Sequence, residues 1–284
     1  MSEADGIKSG MVSDNAFVSM LCRHLVGLVV EYQSKDDSGA PVHSRAVISG
    51  FVLELHSRWF WVTAGHTLKD YLDKPINDGT LRIIDSGFAD YWVTDAEHRH
   101  LYPFRYEPGC AFYIEAAEDS LDFGLIPLDG LMRQAFAKNG VIPISRNNWI
   151  SQHQLEFSVY KMLGFPAHEN RVRTIGGVTA NYALTALLDL ERITNEEAGP
   201  SAGDEWFSAR LHPGAKLPSI EGMSGGPIYG FRKVDDRWSY HVVALQSRWW
   251  PERRIIFGCS LPRFAEAVYH DMAELLGEHR RPED

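Results

Sequence analysis

The chain has 284 residues, of which 44% are apolar and 23% are charged, a composition typical of a globular protein. Its 28 basic and 38 acidic residues give a net charge of −10, which argues against a broad nucleic-acid-binding surface. Near the N-terminus the longest apolar run, Leu25 to Val30, is too short to span a bilayer, so we expect no membrane association.

Residues 1–16 are small and polar, which predicts a flexible N-terminal tail. They lack the basic-then-apolar order of a secretory signal peptide. The three cysteines, Cys22, Cys110 and Cys259, are far apart and odd in number, which argues against a disulfide framework. These features together predict a protein of the reducing cytoplasm.

From Arg23 onward, short apolar runs alternate with turn residues, a pattern typical of β-strands. The first three runs are HLVGLVVEY, RAVISGFVLEL and RWFWVTAGH, and a polar hairpin turn, SKDDSGAP, separates the first two. Further strand-like runs follow as far as residue 260. The stretch 191–205 is acidic and contains Gly and Pro, so we expect it to form an exposed loop.

Helical periodicity is scarce. Phe264 and Val268 recur at helical spacing, which predicts a C-terminal helix at about 262–278. Shorter helices are predicted at 67–72 and 131–138. Many strands with one long terminal helix favour an all-β fold over an alternating α/β sheet.

The segment EGMSGGPIYG, residues 221–230, carries the strongest local signal for chemistry. Gly222, Gly225 and Gly226 surround Ser224. Glycines placed so closely permit a tight turn that exposes the hydroxyl and directs backbone N–H groups into one small space. A glycine-rich hairpin turn with an incidental serine is the alternative interpretation.

A serine hydroxyl is a weak nucleophile near neutral pH and needs an adjacent base. Among the twelve histidines, His66 is favoured because it follows an apolar strand and begins a short helix in FWVTAGHTL. The base in turn needs a buried carboxylate that orients the imidazole. Asp122 heads the apolar strand of SLDFGLIPL, whereas its competitors, Asp119 and Asp129, have more polar surroundings.

Three segments resemble motifs of the chymotrypsin-like (trypsin-like) serine proteases: VTAGH their histidine motif, DFGLIPL their aspartate motif and GMSGGP their nucleophile motif. The order histidine, aspartate, serine along the chain is also theirs. The resemblance extends from about Arg23 to Gly277 and is to bacterial-type intracellular members. It implies two six-stranded antiparallel β-barrels and a C-terminal helix in one peptidase domain over 17–284. The first barrel is expected at about 23–130 and the second at about 140–260.

The resemblance implies that His66 acts as general base and then acid, that Asp122 orients it, and that Ser224 forms the acyl-enzyme. It places the oxyanion hole at the backbone N–H groups of Gly222 and Ser224. The strand over 244–249 is implied to pair with substrate backbone. The implied residues of the primary specificity pocket are Ser247, Trp249, Gly258, Pro218 and Ser219.

Departures from the family pattern refine these expectations. Met223 replaces the aspartate with which animal digestive enzymes capture a new N-terminus, so activation by that ion pair is not expected. Pro218 stands where an acidic residue would select basic side chains. Arg248, Arg253 and Arg254 either favour acidic substrate groups or form a solvated rim.

The sequence therefore predicts a serine endopeptidase that cleaves protein or peptide substrates without a cofactor or a metal. One alternative is a latent or inactive protease-like binding module that a regulatory protein partner activates or recruits. A second is an esterase or acyltransferase with the same three residues. A metal site at His98 and His100 lacks the additional Cys, Asp or Glu ligands that would complete it.

Overall fold

The fold is described from a computed structural model. The described residues are 15–36, 38–90, 101–116, 121–149, 156–169, 171–175, 178–182, 184–199, 206–215 and 217–275. About half of these residues lie in β-strands. The predicted N-terminal tail, residues 1–16, lies outside this set except for residues 15 and 16, which belong to the first helix.

Eight strands occupy the first half of the chain. They are β1 (Val26–Lys35), β2 (Pro41–Ile48), β3 (Phe51–Leu55), β4 (Arg58–Ala64), β5 (Leu81–Asp90), β6 (Leu101–Pro103), β7 (Phe112–Ala116) and β8 (Leu121–Pro127). Eight more strands occupy the second half. They are β9 (Val159–Gly164), β10 (Arg171–Ile175), β11 (Val178–Tyr182), β12 (Ala186–Arg192), β13 (Trp206–Leu211), β14 (Pro227–Val234), β15 (Arg237–Trp250) and β16 (Ile255–Ser260).

The helices are short except at the C-terminus. They are α1 (Asn15–Cys22), α2 (Gly65–Leu68), α3 (Lys74–Asn77), α4 (Gly130–Lys138), α5 (Asn195–Ala198) and α6 (Leu261–Leu275), and a π-helical turn at Lys69–Asp73 joins α2 to α3. Helix α6 lies within the predicted range 262–278 apart from its first residue, and the end of that range lies outside the described residues. No helix in the described part of the chain is long and apolar enough to cross a bilayer.

The second half contains the predicted closed barrel. Six antiparallel strands pair in the order β12-β13-β16-β15-β14-β9, and β10 with β11 forms a separate two-stranded ribbon. The prediction of a closed six-stranded antiparallel barrel is confirmed for this half.

The first predicted barrel, at about 23–130, is not confirmed. Its strands form two four-stranded sheets, ordered β2-β1-β5-β6 and β3-β4-β8-β7. The chain passes from one sheet to the other through a corner at Ser49 and Gly50, where the Val26 N–H donates to Gly50 O at 2.9 Å and the Val52 N–H donates to His24 O at 3.0 Å. These bonds join the two sheets at the corner, and the described pairings do not continue around into one closed barrel.

Three apolar clusters fill the molecule. One lies within the first half around Trp61 and Phe88, and another fills the barrel around Met162. The third lies between the β3-β4-β8-β7 sheet, the barrel and α6, where the rings of Phe123 and Phe264 have centroids 4.4 Å apart. Because burial of apolar surface drives this packing, it holds the two halves together at the place where the candidate site residues meet.

The expectation of an exposed loop at 191–205 is wrong for residues 193–198. Thr194 accepts a hydrogen bond from the Glu197 N–H, the Glu197 side chain accepts one from the Thr194 N–H, and this capping box starts α5. The side chains of Ile193 and Ala198 are buried against the cluster between the halves.

His24 is a buried polar link between the two halves. Its side chain is enclosed, its Nδ1 donates to Ile142 O at 2.7 Å, and the Tyr240 hydroxyl donates to its Nε2 at 2.8 Å. Burial lowers the pKa of His24, the charge of Arg23 adds to this effect, and the hydrogen bond to Ile142 opposes it. The imidazole is therefore neutral in the folded protein.

We expect the free energy of unfolding to decrease as the pH falls below about 6.5, because unfolded His24 then binds a proton that the folded state excludes. In His24→Gln, which cannot titrate, urea denaturation between about pH 7 and about pH 5 should show a shallower decrease. The exposed His43→Gln variant serves as control and should keep the parent profile. A parent-like slope in His24→Gln would show that His24 is not the group responsible.

Candidate active site

His66 and Asp122 form the centre of the site. The Asp122 carboxylate accepts two hydrogen bonds from one residue: Oδ1 from the His66 backbone N–H at 2.8 Å and Oδ2 from Nδ1 at 2.6 Å. With the Nδ1 proton directed at the carboxylate, the neutral imidazole carries its lone pair on Nε2. The Thr67 hydroxyl lies 3.4 Å from Nε2.

Strand pairing places these two residues together. β4 pairs with β8, with Ala64 opposite Phe123, so the residues beyond this pair, His66 and Asp122, emerge at the same edge. Gly65 permits the close approach, since a Cβ at this position would lie 3.0 Å from Asp122 Oδ1. The missing side chain thus lets the carboxylate reach the backbone N–H of His66.

Asp122 is ionised because donors surround it. Burial opposes its charge, but the hydrogen bonds and charge of His66 and the hydroxyl of Ser247 outweigh burial and hold the pKa of the carboxyl below its ordinary value. Its surroundings also affect Cys259. Burial, and next the charge of Asp122, raise the pKa of that thiol, so it stays protonated.

Ser224 is connected to His66 and Asp122 through Ser247. The Ser224 hydroxyl donates to Ser247 O at 3.3 Å, and the Ser247 hydroxyl donates to Asp122 Oδ2. Among the described residues no hydrogen bond joins Ser224 to His66 directly. The structure therefore brings the three predicted residues into one network, in which the serine and the histidine are not hydrogen-bonded to each other.

The Ser224 loop leaves two backbone donors unpaired within the described residues, the N–H groups of Gly222 and Ser224. The carbonyl of Glu221 accepts the Ala167 N–H at 2.7 Å, and the carbonyl of Met223 accepts the Gly226 N–H at 2.9 Å. Because C=O and N–H point in opposite directions across a trans peptide, both free N–H groups point away from these partners.

Two glycines give the loop its shape. Gly222 has φ +86° and Gly225 has φ +93°, a left-handed conformation that side chains disfavour. A Cβ on Gly225 would overlap Thr63 Oγ1 and Ser49 O, so the loop lies directly on the first half of the chain. Met223 is fully buried in the barrel core between these glycines.

The structure places the five predicted pocket residues as follows. The Ser247 side chain is buried and its hydroxyl donates to Asp122. Gly258 faces Ile228 and Ala244 inside the barrel. Trp249 is half-buried beside the barrel core, Pro218 is exposed and Ser219 is half-buried. The pocket formed by these five residues stays a prediction.

The three arginines have different roles. Arg253 donates to the carbonyls of Glu197 and Ala198 at the end of α5, and Arg254 donates to Ala215 O in the segment after β13. Arg248 is exposed and its guanidinium lies 4.8 Å from the Trp206 ring centroid.

Of the other candidates, Asp129 caps α4 by accepting the Met132 N–H at 2.7 Å. Asp119, His98 and His100 lie outside the described residues. Within the described ranges no three His, Cys, Asp or Glu side chains are grouped as metal ligands would be.

Sequence reasoning missed Ser49 and the role of the Ser247 hydroxyl. Ser49 is a buried polar residue at the strand corner, and its hydroxyl donates to Gly222 O at 2.8 Å. Its only sequence signal is a small polar residue before Gly50 between two apolar strands. Neither contact follows from local sequence, because each joins segments that are far apart in the chain.

Comparison with known proteins adds little. No protein-family model matches the chain, and no curated protein matches it. A solved structure described as "Structure of GrC" aligns over 92% of this chain and 96% of its own with 12% identity and a TM-score of 0.46. Another, from work on the Sesbania mosaic virus VPg protein, aligns over 87% and 90% with 13% identity and a TM-score of 0.43. At these TM-scores the superpositions support no inference about this chain.

We expect Gly225→Ala to lower the free energy of unfolding by about 3 kcal/mol or more, because the new methyl group overlaps Thr63 and Ser49 in addition to straining φ. Gly39→Ala is the matched control. It has φ +84° but open space around it, so it should lose only about 1–2 kcal/mol. Urea denaturation measures both changes, and equal losses would show that the loop does not depend on this contact.

Proposed function

We propose that the protein is a serine endopeptidase of the chymotrypsin-like class, with Ser224 as nucleophile, His66 as general base and Asp122 as its orienting carboxylate. The observation that carries this proposal is the double hydrogen bond from His66 to Asp122, which fixes one tautomer and leaves Nε2 as a proton acceptor. The closed antiparallel barrel and the glycine-framed Ser224 loop are consistent with this class.

In the proposed reaction, the Ser224 Oγ forms a bond to the substrate carbonyl carbon while His66 Nε2 takes the hydroxyl proton. The N–H groups of Gly222 and Ser224 stabilise the negative oxygen of the tetrahedral intermediate. The C–N bond then breaks as His66 returns the proton to the leaving amine. Water, deprotonated by His66, releases the acyl group by the same steps in reverse order.

One edge of β15 offers a place for the substrate backbone. β14 pairs with β15 only as far as Pro227 opposite Leu245, whereas β16 continues along β15 to Trp250. Residues 247–250 therefore present one edge without a strand partner among the described residues. An extended peptide added there would run past Ser224, which supports protein or peptide substrates.

The alternative of a latent or inactive binding module also has a specific observation in its favour. The Ser224 hydroxyl donates to Ser247 O and not to His66. Catalytic hydrogen bonds are often long or absent before substrate binds, so this geometry fits both a competent enzyme and one that a regulatory protein partner must activate. Reaction with a small electrophile distinguishes the two.

We expect a fluorophosphonate probe to label the parent protein and not Ser224→Ala. Turnover of a peptide library by Ser224→Ala should fall on the order of 10⁶-fold, because the nucleophile is lost. Thermal unfolding should barely change, which makes the variant a clean control. Undiminished cleavage by Ser224→Ala would refute the assignment, and an unlabelled parent would favour the latent alternative.

Asp122→Asn should lower kcat/KM on the order of 10⁴-fold, because an amide nitrogen in place of one oxygen meets a His66 donor and favours the wrong tautomer. Asp129→Asn is the matched control. It changes a carboxylate that caps α4, and it should keep parent kinetics. Steady-state kinetics of the two variants against one peptide substrate test the prediction, which fails if they show the same activity.

A further inference from the structure

Ser49 connects three segments at the back of the Ser224 loop. Its side chain is fully buried, its hydroxyl donates to Gly222 O at 2.8 Å, and the same oxygen accepts the Phe165 N–H at 2.9 Å. Its own carbonyl accepts the Thr63 hydroxyl at 2.7 Å. The hydroxyl therefore ties the corner between β2 and β3 to the end of β9 and to the Ser224 loop.

The contact falls on the peptide group that follows Gly222. At φ +86° this glycine has no side chain to restrict it, so rotation of the adjoining peptide group is the least costly way for the loop to change shape. The preceding peptide group is held by the Ala167 N–H on Glu221 O. The Ser49 hydroxyl restrains the peptide group on the other side of Gly222 by donating to Gly222 O.

The hydrogen bond from Ser49 affects the orientation of the two unpaired N–H groups, those of Gly222 and Ser224. The peptide group after Gly222 lies between the peptide group that carries the Gly222 N–H and the one that carries the Ser224 N–H, so its rotation would change the angle between these two donors. A donor that stabilises a developing oxyanion must be in place before reaction, and misplacement by about 1 Å costs about a hundredfold in rate. The Ser49 hydrogen bond is thus located where it can keep both donors aligned.

Among the described residues, no salt bridge involves residues 221–226 of the loop. Met223 is buried among apolar side chains, and its N–H donates to Ile220 O at 3.0 Å. The polar restraints on the loop are hydrogen bonds, and the one from Ser49 comes from a side chain. A substitution of Ser49 can therefore remove this hydrogen bond without changing a backbone group.

We infer that Ser49 is a positioning residue that holds the peptide group after Gly222 and thereby keeps the oxyanion donors aligned. This inference rests on the proposed function. Ser49 does not touch the reacting atoms and acts through Gly222.

Ser49→Ala tests this role in the full-length protein. We expect kcat for a peptide substrate to fall about 10- to 100-fold while KM stays within about threefold, because the lost restraint acts on the transition state. The affinity for a peptide boronic acid, whose oxygen occupies the position of the oxyanion, should weaken by a similar factor.

Ser208→Ala is the matched control. Ser208, on β13, is equally buried, and its hydroxyl donates to Asn195 Oδ1 of α5 at 3.0 Å and not to the Ser224 loop. Both variants should unfold at a lower temperature than the parent, and only Ser49→Ala should lose kcat and boronic acid affinity. If Ser49→Ala does not fold, Ser49→Cys replaces it, since a thiol keeps the volume and donates only weakly. Its kcat should then fall below that of Ser208→Ala.

The outcomes separate the two proposals. An active parent with equal kcat in the Ser49 and Ser208 variants overturns the positioning role and leaves the proposed function standing. A parent that neither hydrolyses peptides nor reacts with a fluorophosphonate overturns the proposed function, and the positioning role with it.

Discussion

The carboxylate of Asp122 is the group around which the site is organised. A partly buried negative charge is costly, and here it is stabilised by three donors: the backbone and imidazole of His66 and the hydroxyl of Ser247. These donors come from two distant parts of the chain. The β4–β8 pairing brings His66 to the carboxylate, the absent side chain of Gly65 lets it approach, and β15 brings Ser247 from the barrel.

The site is consequently a property of both halves of the molecule. In the first half, Asp122 lies on β8 and His66 on α2 directly after β4. In the second half, Ser247 lies on β15 and Ser224 in the loop before β14. Apolar packing between the β3-β4-β8-β7 sheet, the barrel and α6 holds the two halves in contact. At closer range, contacts of Ser49 fix the position of the Ser224 loop. The Ser49 hydroxyl donates to Gly222 O, and the Ser49 carbonyl oxygen leaves no room for a side chain on Gly225. Packing sets the distance between the halves, and hydrogen bonds set the direction of individual groups.

Local sequence was informative where a residue's role depends on its chain neighbours. Gly222 and Gly225 beside Ser224 do adopt left-handed backbone, and His66 does follow an apolar strand at the start of a helix. Local sequence was not sufficient where contacts between distant segments determine the surroundings of a residue. The hydrogen bond from the Ser247 hydroxyl to Asp122 could not be predicted, because the two residues are far apart in the chain. The acidic stretch after β12 was expected to be exposed, yet Ile193 and Ala198 anchor it in the core.

The sequence by itself determined the strand-rich class, the glycine-framed loop and the residue types that the chemistry requires, because strand periodicity and turn chemistry act over a few residues. Only the tertiary structure decided which partners those residues have. It closed the second half into a barrel but left the first as two sheets joined at a corner, and it placed Ser49 and Ser247 at the site. These outcomes depend on hydrogen bonds between segments that are distant in the chain, and a local pattern carries no information about them.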